Sequence, residues 1–470
     1  MYSGYTYILN MFKRLYRIPP EIAIGYGDEE ATINIIPCET NYFEQLAPFD
    51  ASNCVKKQWQ DRELPFLFTT SDANPILTTD YNKVVIHYDI LASAFFFISG
   101  WQESVYHSRV LAPRYSYVDS LQHKLQITDI PVVNYYFDIL ANAIRQQYKL
   151  PQAPSPWGNA PFSIFLSHDI DHCYSGWLQD GAHTLRNGNV LSALGIGLRA
   201  ARGQHSWFNF KRIIDVEAAR QAQSTFFFIG SKGKVFLDQA ALDKADVKAD
   251  LISFYSTNSG GEKKKLENAD YNLSSAKMRS VCHFIREAGS EVAMHGGFTS
   301  HINPELFARE MQQFDKTISG HRFHYLYFEH NKTPALLDFA NIGYDATLGF
   351  AETPGFRNGI VHPFYPWNAA KQQPHRFLEI PLTIMDTTFR SYTNTPKDDI
   401  LPIVKRFYDE AARFNGCISV LWHNNYFSDF KYAGWQKVYE DILDEGQSRG
   451  AMLASGEQIM SRYKSYLTER

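Results

Sequence analysis

Apolar positions in this chain recur with two different periods, and the switching between them outlines the elements. In the first third, 83–86 (Lys-Val-Val-Ile) is short and β-branched, which favours a strand, while 89–99 is apolar enough for a buried helix. Tyr135, Ile139, Leu140 and Ile144 fall at helical spacing and predict a helix over 131–148. Pro151, Pro154, Pro156, Gly158 and Pro161 then crowd into 150–161. Proline fixes φ and removes a backbone donor, so this stretch is expected to be a linker dividing 1–155 from 156–470.

Beyond it, strand and helix signals alternate. The compact apolar run 162–166 is followed by a helix over 208–223 and a strand over 224–229. The stretch 231–272 is polar and poor in large apolar residues, as a surface insertion would be. A helix over 274–288 ends at Gly289, a strand over 291–294 leads to His295, and Pro304 suits the first position of the next helix. Helix 332–341, strands 344–348 and 377–384, helix 398–414, strand 417–422 and helix 435–449 complete the series. Such alternation predicts an α/β fold, a distorted (β/α)7-type barrel behind a smaller N-terminal α/β domain.

Composition narrows the class. The 470 residues are 44% hydrophobic and 20% charged, enough apolar material for a packed core and too much for extensive disorder. The net charge is −4 and no long basic run occurs, so an extended nucleic-acid footprint is not expected. Lys263, Lys264 and Lys265 sit among Gly, Ser and Asn and suit a solvated loop. The five cysteines form no C-x-x-C pair, which fits reduced thiols in a cytoplasmic protein. Residues 1–17 lack the apolar run of a secretory signal, and 86–98 is too short and too interrupted to span a bilayer.

The chemistry gathers past the ends of the expected strands. Asp169 and Asp171 follow the first, His295 follows 291–294, Asp386 follows the 377–384 run, and His423 follows 417–422. In α/β barrels the C-terminal rim of the strands is where catalytic groups collect. Carboxylates and imidazoles together suit a divalent ion with an open position, which makes water acidic and polarises a carbonyl. Asp169 and Asp171 are two apart and would share a strand face; a loop at the strand end lets one bind metal while the other takes a proton. Each residue also has a structural alternative, such as a turn cap for the aspartates or a buried, carbonyl-bonded histidine.

Seven segments in sequence order carry a resemblance to the polysaccharide deacetylases of the NodB-homology group, the family-four carbohydrate esterases. They are Ser167-His-Asp169-Ile-Asp171, Ser224-Thr-Phe-Phe-Phe-Ile-Gly230, Glu291-Val-Ala-Met-His295-Gly-Gly297, Gly320-His-Arg322-Phe-His324-Tyr-Leu326, Tyr344-Asp-Ala-Thr-Leu-Gly349, Ile380-Pro-Leu-Thr-Ile-Met-Asp386 and Leu421-Trp-His423-Asn424. The match covers roughly 162–470, and the N-terminal part resembles a companion domain that precedes such barrels. The resemblance implies removal of an acetyl group from an N- or O-acetylated carbohydrate; the expected cytoplasmic place, in turn, points to a small biosynthetic precursor, such as a sugar nucleotide or lipid-linked intermediate, as substrate. It implies Asp169 as general base oriented by Arg322, Asp171 and His295 as metal ligands, and His423 as general acid tuned by Asp386. The expected ion is zinc, with cobalt, nickel or manganese as alternatives.

One departure from the pattern matters. The family's second histidine, four residues after the first, is Thr299 here. His301 is favoured as the third ligand, with His172 and His324 as alternatives. An incomplete set would suit a non-catalytic glycan-binding protein, and an altered pocket would suit a hydrolase of non-sugar amides. Phe356, Tyr365 and Trp367, in a Pro/Gly-rich loop, are candidates for stacking on sugar rings.

Overall fold

The protein is described from a computed structural model, which covers residues 3–38, 42–44, 47–110, 112, 114–236 and 265–469. Most of the expected insertion over 231–272, including Lys263 and Lys264, lies outside the described residues. Its two ends pair as antiparallel strands, Lys234–Phe236 with Lys265–Glu267.

The N-terminal part opens with the helix Ser3–Leu15 and contains a four-stranded sheet in the order Gly25–Tyr26, Ile33–Ile35, Lys83–Ile86, Leu77–Asp80. A separate hairpin joins Cys54–Trp59 to Arg62–Leu67. The apolar run after residue 88 is the buried helix Ile90–Ile98, and it starts where it does because Asp89 caps it, accepting from the Ala92 amide at 2.8 Å. The helix Val132–Tyr148 buries the Tyr135, Ile139, Leu140 and Ile144 face that its spacing marks out.

The parallel sheet runs in the order Leu378–Glu379, Tyr344–Asp345, Gly320–Phe323, Glu291–Gly296, Thr225–Ile229, Ser163–Ile170, Cys417–Leu421, Ile384–Met385. Its two outermost members belong to one stretch of chain. The expected strand over 377–384 is broken: Leu378–Glu379 pairs with Tyr344–Asp345, and Ile384–Met385 crosses to pair with Val420–Leu421. Pro381 lies in the break, where it cannot donate to a ladder. The sheet thereby curls into a distorted (β/α) barrel. A short strand not evident in the sequence, Met452–Ala454, wedges beside the lower half of Ser163–Ile170, whose upper half pairs with Thr225–Ile229.

The first barrel strand is longer than its apolar run. It continues to Ile170, with every residue buried. Alternation then sorts it. Ile164, Leu166 and Ile170 pack outward against the helices, while Phe165 shares a buried cluster with the barrel residues Phe227, Tyr344 and Phe377. That same cluster takes in Ile8, Phe12, Phe95 and Phe137, so apolar packing is continuous from the N-terminal part into the barrel. A buried ion pair also joins them: Arg357 Nη2 donates to Glu103 Oε2 at 2.7 Å and Nε to Oε1 at 3.0 Å.

Candidate metal centre

The inward parity that begins at Phe165 continues through Ser167 and Asp169 to Asp171, just past the strand. Arg322, on the strand Gly320–Phe323, is completely buried and reaches across the barrel to meet it. Its Nη1 donates to Asp169 Oδ1 at 2.8 Å and to Ser167 Oγ at 3.0 Å, and its Nε to the Ala346 carbonyl at 2.8 Å. The guanidinium also lies 4.5 Å above the Phe227 ring. A buried guanidinium is costly unless paired and hydrogen-bonded, so its position fixes where the Asp169 carboxylate sits. Burial would raise the Asp169 pKa, but the charges of His295 and Arg322 outweigh it and hold the carboxyl below its ordinary value.

His295 lies in register beside Arg322 on the neighbouring strand. Its Nδ1 lies 2.9 Å from the Arg322 carbonyl oxygen, so the proton belongs on Nδ1 and the lone pair of Nε2 faces the barrel axis. There Nε2 is 3.4 Å from Asp169 Oδ2 and 3.5 Å from Asp171 Oδ1. His324, just after the Gly320–Phe323 strand, brings its Nε2 to 3.5 Å from Asp171 Oδ2. Tyr325 and Leu326 both take positive φ, at 60° and 56°, turning the chain sharply there, and the Tyr325 ring stacks on His324 at 3.9 Å.

Asp171, His295 and His324 offer donor atoms within 4.8 Å of one another. Their individual separations exceed the roughly 2.7–2.9 Å of a charge-assisted hydrogen bond. They match tetrahedral ligands instead: bonds of about 2.0–2.1 Å to one ion place ligand atoms roughly 3.4 Å apart. Asp171 Oδ1 is buried with no hydrogen-bond partner, as a carboxylate waiting on a cation would be. Two imidazoles and one carboxylate with space beside them therefore fit a divalent ion.

His301, favoured as the third ligand, lies elsewhere. Thr299 adopts φ 67°, and a 3-10 turn over Ser300–Ile302 carries His301 away from the cluster, between the rings of Phe323 and Tyr327. Burial pushes its pKa down to about 3, with His107 and Lys332 adding to the effect, so its imidazole is neutral. His172 lies on the cavity wall, with Nδ1 4.0 Å from Asp270 Oδ2. His324, the other alternative, is the one that lies with Asp171 and His295.

His423 approaches from the opposite side. Its Nδ1 lies 2.8 Å from Asp386 Oδ1, and the fully buried Asp386 also accepts from the His423 amide and the Thr387 hydroxyl. Burial would lower the imidazole pKa, but the Asp386 charge and hydrogen bond, with Asp171 and Asp169 behind, raise it to about 10. His423 Nε2 is left facing the cavity, 3.9 Å from Asp171 Oδ2.

Asp169, Asp171, His324 and His423 border a cavity of about 390 Å³ whose walls include Trp207, Tyr325, Tyr426 and Tyr432. The aromatic candidates named from sequence are not among them. Phe356 and Trp367 are buried in core clusters, and Tyr365 packs against the core instead. Sequence reasoning missed Arg114, which the N-terminal part sends to the same cavity and which pairs with Glu352 at 3.0 Å. No strand-end signal marks it, because it comes from a loop outside the barrel.

Residues 7–149 match a family model described as a family of unknown function (DUF7033). No curated protein matches the chain. Among solved structures, one described as a polysaccharide deacetylase from Mycobacterium smegmatis is 14% identical with a TM-score of 0.41, over 67% of this chain and 95% of that one. The PuuE allantoinase is 13% identical with a TM-score of 0.40, over 67% and 94%. A CE4 family pseudoenzyme from Bacillus anthracis is 9% identical with a TM-score of 0.28, over 67% and 71%. Likenesses this distant carry no weight for function; the strand order and the side chains do. Among the described residues no helix is long and apolar enough to cross a membrane.

Proposed function

We propose that the protein is a metal-dependent hydrolase that removes an acetyl group from an N- or O-acetylated carbohydrate. The observation that carries this is the convergence of Asp171, His295 and His324 on one point, between an aspartate locked by Arg322 and a histidine locked by Asp386. Asp171, His295 and His324 would hold the ion, zinc by donor set, with cobalt, nickel or manganese able to take the same ligands. A bound divalent ion lowers the pKa of water and polarises an acyl oxygen.

The chain's own residues do the rest. Asp169, ionised and oriented by Arg322, accepts the proton of the attacking water as general base. An amide nitrogen is a poor leaving group, so the step also needs an acid on the far side of the acyl carbon. His423 is that acid: its cavity-facing Nε2 gives a proton to the departing nitrogen or oxygen, and Asp386 keeps the ring protonated and correctly turned. The aromatic walls suit a sugar ring, whose C–H face packs on aromatic surfaces. Residues 156–470 form the catalytic unit in this reading and 1–155 a companion that contributes Arg114. Among the described residues no disulfide joins any of the five cysteines, which favours a cytoplasmic place and a precursor as substrate.

The test is acetate release from acetylated amino sugars by the purified protein before and after chelation, with Asp169→Asn as control. Release that stops with chelator and with the variant supports the reading; release by the variant at the wild-type rate removes the base. A hydrolase of non-sugar amides would instead turn over formamide or cyclic-amide substrates and leave the acetylated sugars intact. A non-catalytic glycan-binding protein would cleave neither.

A further inference from the structure

Between the Ser163–Ile170 strand and the helix Phe210–Ala218, the chain makes an excursion of two helices, Gly176–Arg186 and Val190–Ala201, packed against each other. Their apolar side chains face the wrong way for helices that only cover a barrel. In Val190–Ala201 the one buried residue is Ile196. Val190, Leu191, Leu194 and Leu198 lie on the opposite side, with Leu191 83% exposed and Leu194 and Leu198 60% each. On the first helix Asp180 and Thr184 turn inward while Leu178 and Leu185 are exposed. A soluble protein rarely leaves so continuous a leucine surface in water without a use for it.

Charge selects the occupant. Between residues 176 and 202 the exposed cations are Arg186, Arg199 and Arg202. The lone carboxylate, Asp180, is buried and accepts from the Ser206 and Ser428 hydroxyls. A second copy docking through this face about a two-fold axis would set like charges together. A leucine stripe flanked by arginines with no exposed acid suits a bilayer surface, with leucines at the acyl boundary and arginines among lipid phosphates.

The excursion also borders the candidate site. Gln179, on its first helix, lines the cavity together with His172 and Trp207, and Lys431 Nζ donates to Gln179 Oε1 at 2.6 Å. We propose that this helical pair docks the protein on an anionic lipid surface and presents the cavity to an acetylated glycan carried on a lipid there. The substrate half of this statement rests on the deacetylase reading; the docking half does not.

Sedimentation of the full-length protein with vesicles of phosphatidylcholine alone, and with vesicles containing phosphatidylglycerol, tests it. The protein should sediment with the anionic vesicles, less so as salt rises. Leu191→Glu/Leu194→Glu and Arg199→Glu/Arg202→Glu should each weaken binding by about tenfold or more. Both variants should hydrolyse a soluble acetylated chito-oligosaccharide at the wild-type rate. No sedimentation with anionic vesicles, or equal binding by the variants, overturns the proposal. So does light scattering that shows a dimer which the leucine variant dissolves. If the vesicles bind as expected but the soluble oligosaccharide is left uncut by the wild type, the docking surface stands and the deacetylase reading falls.

Discussion

Nε2 of His324 lies 3.5 Å from Oδ2 of Asp171, while Nε2 of His295 lies at the same distance from the other oxygen of that carboxylate. One carboxylate is thus approached by two imidazoles that leave strands two and three places along the sheet from its own. The sheet order places them there: Ser163–Ile170 adjoins Thr225–Ile229, then Glu291–Gly296, then Gly320–Phe323.

Asp169 sits beside this cluster without being needed to form it. Asp169→Asn should therefore lower turnover by about 100-fold to 10,000-fold, the usual worth of a general base, while metal content stays at the wild-type level. Rate assays paired with metal analysis check this. Equal loss of both would make Asp169 a ligand.

Asp386 touches no point where substrate sits, yet it holds His423 through both the ring and the main chain. Asp386→Asn keeps the shape but removes the charge that raises the imidazole pKa. The variant should lose turnover by on the order of 100-fold with KM little changed, since a positioning residue acts on the proton transfer and not on binding. A change confined to KM would contradict that role.

Glu291, at the foot of its strand, accepts from the Thr225 and Tyr344 hydroxyls and the Glu457 amide. Burial nevertheless outweighs those bonds and raises its pKa to about 7. The folded pKa exceeds the unfolded one, so the associated stability is full below about pH 4.5 and is lost as pH rises through about 7. In urea unfolding, the stability of the wild type relative to Glu291→Gln should fall across that window by on the order of 3 kcal/mol. A wild-type-minus-variant difference that does not change with pH would contradict the assignment.

The Glu103–Arg357 pair is buried at both ends and ties the N-terminal part to the barrel. Burial opposes ionisation of Glu103, but the Arg357 charge wins and holds its carboxyl below the usual range. Glu103→Ala leaves a buried guanidinium uncompensated and should cost about 3–5 kcal/mol. Denaturation by two probes, one in each part, should shift together; a shift confined to one part would show the pair does not couple them.

Much of this fold was legible in the sequence. The strand-end rule singles out Asp169, Asp171, His295, Asp386 and His423, and the structure brings these side chains together, because a barrel delivers such positions to one rim whatever the loops do. The same rule applied to Gly320–Phe323 marks His324. With Thr299 at the family's second histidine position, His301 was favoured over His172 and His324; the left-handed Thr299 and the turn after it carry His301 away from the cluster. The helices Gly176–Arg186 and Val190–Ala201 escaped notice because their leucines point outward, and amphipathic patterning assumes the apolar face is covered. The run 377–384 looked continuous because periodicity does not show which neighbour each half of a strand will choose.

The metal itself offers the most direct test. Purified protein and the variants Asp171→Ala, His295→Ala, His324→Ala and His301→Ala should be dialysed against one divalent ion and their metal content measured by plasma mass spectrometry. The structure predicts about one ion per chain in the wild type and in His301→Ala, and a loss of at least about tenfold in the other three. Full metal in His324→Ala alongside loss in His301→Ala would contradict the account at its centre.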